Sequence, residues 1–138
     1  MLKKLRDKRK DKKGFTLVEL IVVLIILAIL AALLIPALTG YIDKAKNKQV
    51  VAETRQAVMA TQTLADEDYA VDVTPQFGKG RVISKNIKSL AEVDGKISGV
   101  TFDSSHAVAT LTYESKSGKT CTYTAGGTKG TDGAYDVK

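Results

Sequence analysis

The sequence predicts an α+β chain: a long N-terminal spine helix from about residue 15 to 68, with a small antiparallel sheet of three to four strands packed on its C-terminal half. Three observations lead there. An apolar run begins at Leu17 and contains no polar side chain from Leu20 to Ile35. Small apolar pairs then recur every seven residues, at Val50 and Val51, Ala57 and Val58, and Leu64 and Ala65. After Ile97, short segments alternate apolar residues with threonines. A chain of 138 residues has room for one membrane- or filament-forming element and one small domain, but not for a large enzyme. The expected divisions are a basic leader at 1–14, a hydrophobic helix half at 15–40, an amphipathic helix half at 41–69 and a globular head at 70–138.

The leader concentrates the charge. It holds eight of the 21 basic residues and two of the 15 acidic ones, which leaves 13 of each in the rest of the chain. The net charge of +6 therefore belongs to the leader alone, and the neutral remainder lacks the broad basic footprint of a nucleic-acid-binding body. A local group, Lys79, Arg81, Lys85 and Lys88, reads as a solvated face.

Leu20 to Leu38 is 19 residues, about 28 Å as a helix at 1.5 Å per residue, which matches the ~30 Å hydrocarbon core of a bilayer. No A-x-A pair follows the run, so cleavage after it, as in an ordinary secretory signal, is not indicated. The basic residues that precede it place the leader in the cytoplasm and the residues beyond about Tyr41 outside. One carboxylate, Glu19, stands just inside the run. An acidic side chain costs roughly 2.5 to 3.5 kcal/mol at the centre of a membrane helix and less near its end, so Glu19 calls for a reason.

The residues Gly14-Phe15-Thr16-Leu17-Val18-Glu19-Leu20, behind a basic leader and ahead of an apolar run, closely resemble the processing and assembly motif of type IV pilins and pseudopilins. The resemblance implies that a membrane aspartyl prepilin peptidase cuts between Gly14 and Phe15 and methylates the new Phe15 amine. It implies that Glu19 is the assembly residue, and it places Pro36 and Gly40 where the first helix of many pilins has a proline and loosens on assembly. The match covers roughly Lys12 to Tyr41.

The chemistry of the junction is consistent with this. A cut at Gly14, where charge gives way to hydrocarbon, removes the leader's charge and creates an α-amine four residues before Glu19. Positions i and i+4 share a helix face, so the two groups stack within one subunit, and in a staggered bundle Glu19 can meet the amine of a neighbour. Such a pair offsets the desolvation of both groups and fixes the register between copies. The plainer reading is that Glu19 marks the interfacial edge of a simple anchor.

Beyond Gly40 the helix turns amphipathic, with Thr54 and Thr61 inside the small-residue stripe and Lys44, Lys48, Glu53, Arg55, Gln56 and Gln62 on much of the remainder. Pro36 lacks an amide donor and is expected to kink or weaken the helix between Ala32 and Gly40; the alternative is a helix ending at Pro36 and a second beginning after Gly40. Pro75, Gly78 and Gly80 mark a loop. Ile83, Ile87, Leu90 and Ala91 then space a short helix behind Ser84, ending near Gly95. Strands are expected at Ile97–Asp103, Ala107–Glu114 and Lys119–Ala125, in a meander whose Leu111, Tyr113, Cys121 and Tyr123 face the spine and whose threonines face solvent. A short terminal strand, Ala134–Val137, follows a glycine-rich loop.

That loop also admits a calcium reading through Asp132 and Asp136, since major pseudopilins of type II secretion have a calcium site near the C-terminus. Two carboxylates are few for a cation that prefers six to eight oxygens, so no metal or other cofactor is expected. A single histidine, His106, excludes a multi-histidine metal site and reads as a strand-edge residue, and the lone Cys121 reads as a small buried one. Nothing suggests an enzyme.

The reading is a major-type pilin of a type IV pilus, inserted as a precursor in the inner or cytoplasmic membrane with its leader in the cytoplasm. It would polymerise through its N-terminal helix into an extracellular filament for adhesion, motility or colonisation. The implied partners are identical subunits, prepilin peptidase, an assembly platform with its ATPase, minor pilins and, before assembly, the membrane. The alternatives are a major pseudopilin of a type II secretion system and a competence pilin involved in DNA uptake, the latter disfavoured by the neutral mature chain.

Overall fold

The computed structural model describes residues 14–128, 130 and 133–138. One long helix, α1 (Leu17–Tyr69), is followed by a short helix, α2 (Ser84–Ala91), and four strands: β1 (Lys96–Phe102), β2 (Val108–Glu114), β3 (Thr120–Thr124) and β4 (Tyr135–Val137). The chain divides into two compact units between Tyr41 and Ile42.

In the first unit the apolar sequence is helical throughout and buries nothing, its large side chains from Leu17 to Leu38 all lying exposed. Helix α1 continues through Pro36 and Gly40, so the chain does not split there into two helices. Pro36 removes one amide donor, and just beyond it the Thr39 hydroxyl donates to the Ile35 carbonyl at 2.7 Å, giving a carbonyl of this turn an added partner.

The second unit closes a core. Val50, Val51, Thr54, Ala57, Ala60, Thr61, Leu64, Ala65 and Asp68 form the buried line of the helix. Thr54 and Thr61 are fully buried because each hydroxyl is spent locally: Thr54 donates to the Val50 carbonyl at 2.6 Å and Thr61 to the Ala57 carbonyl at 2.7 Å. The apolar residues of the line share one core cluster with Leu111, Tyr113, Val108, Ile97 and Cys121 of the sheet.

The sheet is a four-stranded antiparallel meander in the order β1-β2-β3-β4. Its register aligns Ile97, Tyr113, Cys121 and Val137 across the strands on the core side, and Ser98, Thr112, Thr122 and Asp136 on the other. On that outer side hydroxyls meet across strands, Thr101 with Thr110 at 2.7 Å and Thr112 with Thr122 at 3.4 Å. Gly99, at φ +60, sits where the β1–β2 register shifts between Ser98 and Thr101, a conformation that suits glycine in an irregular strand. The Asp103 carboxylate accepts from the Ser105 and Ala107 amides and the Ser105 hydroxyl, which ties the first hairpin turn and holds its pKa below the usual value.

Helix α2 stops at Ala91, four residues before the expected Gly95. Glu92 takes up the left-handed conformation and the Val93 amide closes back on the Lys88 carbonyl at 3.1 Å. Gly95 has a different task. Its amide donates to the Tyr113 hydroxyl at 2.9 Å, and a Cβ there would strike the Tyr113 ring and the Glu114 carbonyl. Burial, together with the Glu53 carboxylate beside it, pushes the Tyr113 hydroxyl up to about 12.

The loop before α2 is fastened by a charge that the sequence did not single out. Asp68, in the last turn of α1, is 2% exposed. It accepts the Arg81 backbone amide at 2.8 Å and pairs with the Arg81 guanidinium at 3.3 Å. Arg81 also donates to the Glu67 carbonyl at 3.3 Å. Arg81 therefore leaves the solvated cluster to which its neighbours Lys79, Lys85 and Lys88 had assigned it, because a buried carboxylate needs a cation and hydrogen bonds together. Gly80, at φ +58, lets the loop pass so close to Asp68 that a side chain there would collide with the carboxylate.

Candidate processing and assembly site

The residues at the start of α1 assemble in one short stretch. Gly14 is exposed, and a Cβ built on it meets nothing within 4 Å. Its sterics therefore leave the Gly14–Phe15 bond approachable, and Phe15 beside it is 83% exposed. Leu17 opens the helix behind Thr16, whose carbonyl accepts the Leu20 amide at 3.2 Å.

Thr16 and Glu19 satisfy each other. The Thr16 amide donates to Glu19 Oε2 at 3.1 Å, and the Glu19 amide donates to Thr16 Oγ1 at 3.1 Å. This reciprocal pair covers two of the amides that a helix start leaves without partners. It also places a carboxylate at the positive end of the helix, where the dipole favours it. The sequence carried the signal in Thr16-Leu17-Val18-Glu19, a Thr-x-x-Glu spacing, but Thr16 was read only as part of the junction and not as the residue that holds Glu19.

Glu19 is the only charged residue between Gly14 and Ile42, and it is exposed. The 18-residue apolar window that follows has a mean hydropathy of 3.3 and is 0% buried, so the helix is long and apolar enough to cross a membrane. Pro36 lies in this exposed stretch, 17 positions beyond Glu19 and away from the Thr16–Glu19 pair. The junction thus offers a reachable peptide bond, an oriented carboxylate one helical turn beyond it, and a large apolar surface left uncovered in the single chain.

Among the described residues the other chemistry-bearing side chains do not gather into one site. Asp136 stands on β4 beside a cavity of about 510 Å³ that also meets Thr122, Thr124 and Lys138, while Asp132 lies outside the described residues. Among the described residues no group of three or more His, Cys, Asp or Glu side chains is gathered to hold a metal ion. His106, at φ +65 in the first hairpin turn, stacks 4.8 Å from the Tyr69 ring, and its carbonyl accepts from the Gln62 amide at 3.3 Å. Gln62 Oε1 in turn accepts the Val108 amide at 2.8 Å, so this helix residue, expected on the solvent side, pins the start of β2. Cys121 is fully buried in the core.

Residues 9–35 match the family description "Prokaryotic N-terminal methylation motif". A relative, Fimbrial protein Q of Moraxella bovis, is 41% identical over 67 residues, which is 49% of this chain. The chain spans about 40% of the length of that relative. No solved structure matches.

Proposed function

We propose that the chain, which matches a prokaryotic N-terminal methylation motif and is similar over about half its length to a fimbrial protein, is the major-type subunit of a type IV pilus. The observation that carries this reading is the lone, exposed Glu19 at the head of an apolar helix half with no burial of its own. A membrane accounts for the apolar surface before assembly, and a bundle of identical helices accounts for it afterwards.

In this reading prepilin peptidase hydrolyses the Gly14–Phe15 bond. Water supplies the hydroxyl of the new Gly14 carboxyl group and the proton of the Phe15 amine; a sulfonium methyl donor then passes its methyl group to that amine, leaving as the neutral thioether while the amine releases a proton. Removal of residues 1–14 leaves 13 basic and 13 acidic side chains, so a neutral subunit enters the polymer. The Thr16 amide survives the cut because it belongs to the Phe15–Thr16 bond. Glu19 is therefore already aimed at the new terminus while its other oxygen, with no hydrogen bond among the described residues, is available to the amine of a neighbour. A buried ion pair of this kind specifies register more than it adds stability. Assembly platform, ATPase and minor pilins are the partners of such a subunit, with the head outside the membrane and the leader in the cytoplasm, and the finished polymer serves adhesion, motility or colonisation rather than catalysis.

Mass spectrometry of assembled material tests the processing step: the expected N-terminus is a methylated Phe15, and an intact leader or an unmodified Phe15 sinks it. For the assembly step, Glu19→Ala is expected to be processed normally yet to yield no filaments. Normal filaments from that variant overturn the role of Glu19.

A further inference from the structure

The part of α1 that carries the head is polarised. Lys44 and Lys48 are exposed and have no acidic partner among the described residues, and the nearby Asp43 is already paired with Lys119 at 3.2 Å. At the other end, Asp66 and Glu67 are exposed in a last turn that contains no basic residue. The negative end of the helix dipole adds to these charges instead of opposing them. Arg81 reaches Glu67 at 3.8 Å but is committed to the buried Asp68, and among the described residues the Asp66 carboxylate accepts only from a neutral donor, Gln62, at 2.8 Å.

At 100° per residue, Lys44, Lys48 and Asp66 fall within about 40° of one another around the helix, on a flank that also exposes Ala52, Met59 and Arg55, the last engaged over the Tyr135 ring at 5.0 Å, and that lies away from the buried line of Thr54, Thr61 and Asp68. Asp66 is 18 and 22 residues beyond the two lysines, about 27 and 33 Å along the axis. One chain cannot bring these ends together. A second copy can.

We propose that this flank of α1 is a contact between copies of the chain, in which Lys44 and Lys48 of one subunit meet Asp66 of a parallel neighbour displaced by about 30 Å. The proposal rests on the filament reading, because copies inserted into one membrane share one direction. Antiparallel copies would satisfy the same charges in a closed pair, whereas parallel copies leave one end of each free for the next subunit. The contact is heterologous and does not close, which is the geometry that extends a polymer. Opposite charges across it select this stagger, and sliding toward zero displacement would set lysine beside lysine and carboxylate beside carboxylate.

The test uses the full chain expressed with its assembly machinery. Lys48→Glu and Asp66→Lys are each expected to lower the yield of sheared filaments about tenfold or more, and the double variant is expected to recover most of the loss. Lys85→Glu, a reversal of the same size on α2, is expected to change little. In Lys48→Cys/Asp66→Cys filaments, oxidation should give a ladder of cross-linked multimers. Single reversals with normal yield, a double variant no better than the singles, an equal loss from Lys85→Glu, or cross-linked dimers without a ladder each overturn the contact. If wild-type filaments form and Glu19→Ala abolishes them, such a failure falls on this interface alone. Filaments from Glu19→Ala, or none from the wild type, would instead remove the reading beneath it.

Discussion

Residues 14–41 and 42–138 answer the same physical demand in opposite ways. Both contain a helical stretch rich in aliphatic side chains, yet the first buries none of them and the second buries a full line from Val50 to Asp68. The first stretch is apolar around its whole circumference, which is the pattern of a segment that must be enclosed by something other than its own chain. The second has one small-residue line and a sheet to cover it. What differs is therefore where each finds its partner: the second has it within the chain, and the first leaves its apolar surface to something outside the chain, a bilayer or other subunits in the function proposed above.

The contrast can be broken or sharpened by substitution. The largest effect is expected at Leu111, fully buried beneath the sheet, where Leu111→Ala should destabilise the second unit by about 3 kcal/mol. Leu24→Ala, in the exposed stretch, should leave the same thermal transition in place when the whole chain is melted in detergent micelles. Equal shifts from the two variants would erase the distinction between the units.

Asp68→Ala comes next, with an expected loss of about 2 kcal/mol, because it strips the Arg81 amide and guanidinium of their acceptor. Increased proteolytic cutting in the loop at 70–83, with α1 still protected, is the readout that separates this effect from general unfolding.

Tyr113 gives a pH signature. Its hydroxyl is raised from about 10 to about 12, so the folded state favours the neutral form. The associated stability is fully present below pH 10 and is lost as pH rises from about 10 to 12, by an amount on the order of 2 kcal/mol. Tyr113→Phe should be less stable at neutral pH by about 1 kcal/mol, since the Gly95 amide loses its acceptor, and should show a flatter decline in this window. An unchanged slope between pH 10 and 12 would mean that another group titrates there. The smallest effect is expected for Thr16→Ala, about 1 kcal/mol at the helix start, seen as faster amide exchange at Glu19 with no change in the melting of the second unit.

Much of this architecture was legible in the sequence because it depends on periodicity. The threonine alternation placed β2 and β3 to within a residue, and the seven-residue recurrence located the buried line of α1, since both patterns repeat a local geometry several times. The start of α1 at Leu17 was legible for a different reason: the abrupt change from charge to hydrocarbon just before it is a one-dimensional signal. Contacts made by single residues were not. Asp68 and Arg81 are thirteen positions apart across a loop, and neither lies in a repeating pattern that would reveal a buried pair. Gln62 looked like one polar residue among several, and its role appears only when the first hairpin arrives to be held. Glu92 ends α2 in a left-handed conformation that glycine more often supplies, so the next glycine, Gly95, drew the boundary too far.

The two outer strands of the sheet carry a consequence for life in a crowd. β4 is short, three residues with Ala134 and Lys138 bonding to β3 on either side, and in β1 the regular ladder is interrupted at Gly99. A long, flat edge on each head would invite backbone pairing between heads held side by side along a fibre, and such pairing resists disassembly. In the filament proposed above, short and irregular edges would leave neighbouring heads to meet through side chains, so that the polymer could be dismantled without first unzipping a shared sheet.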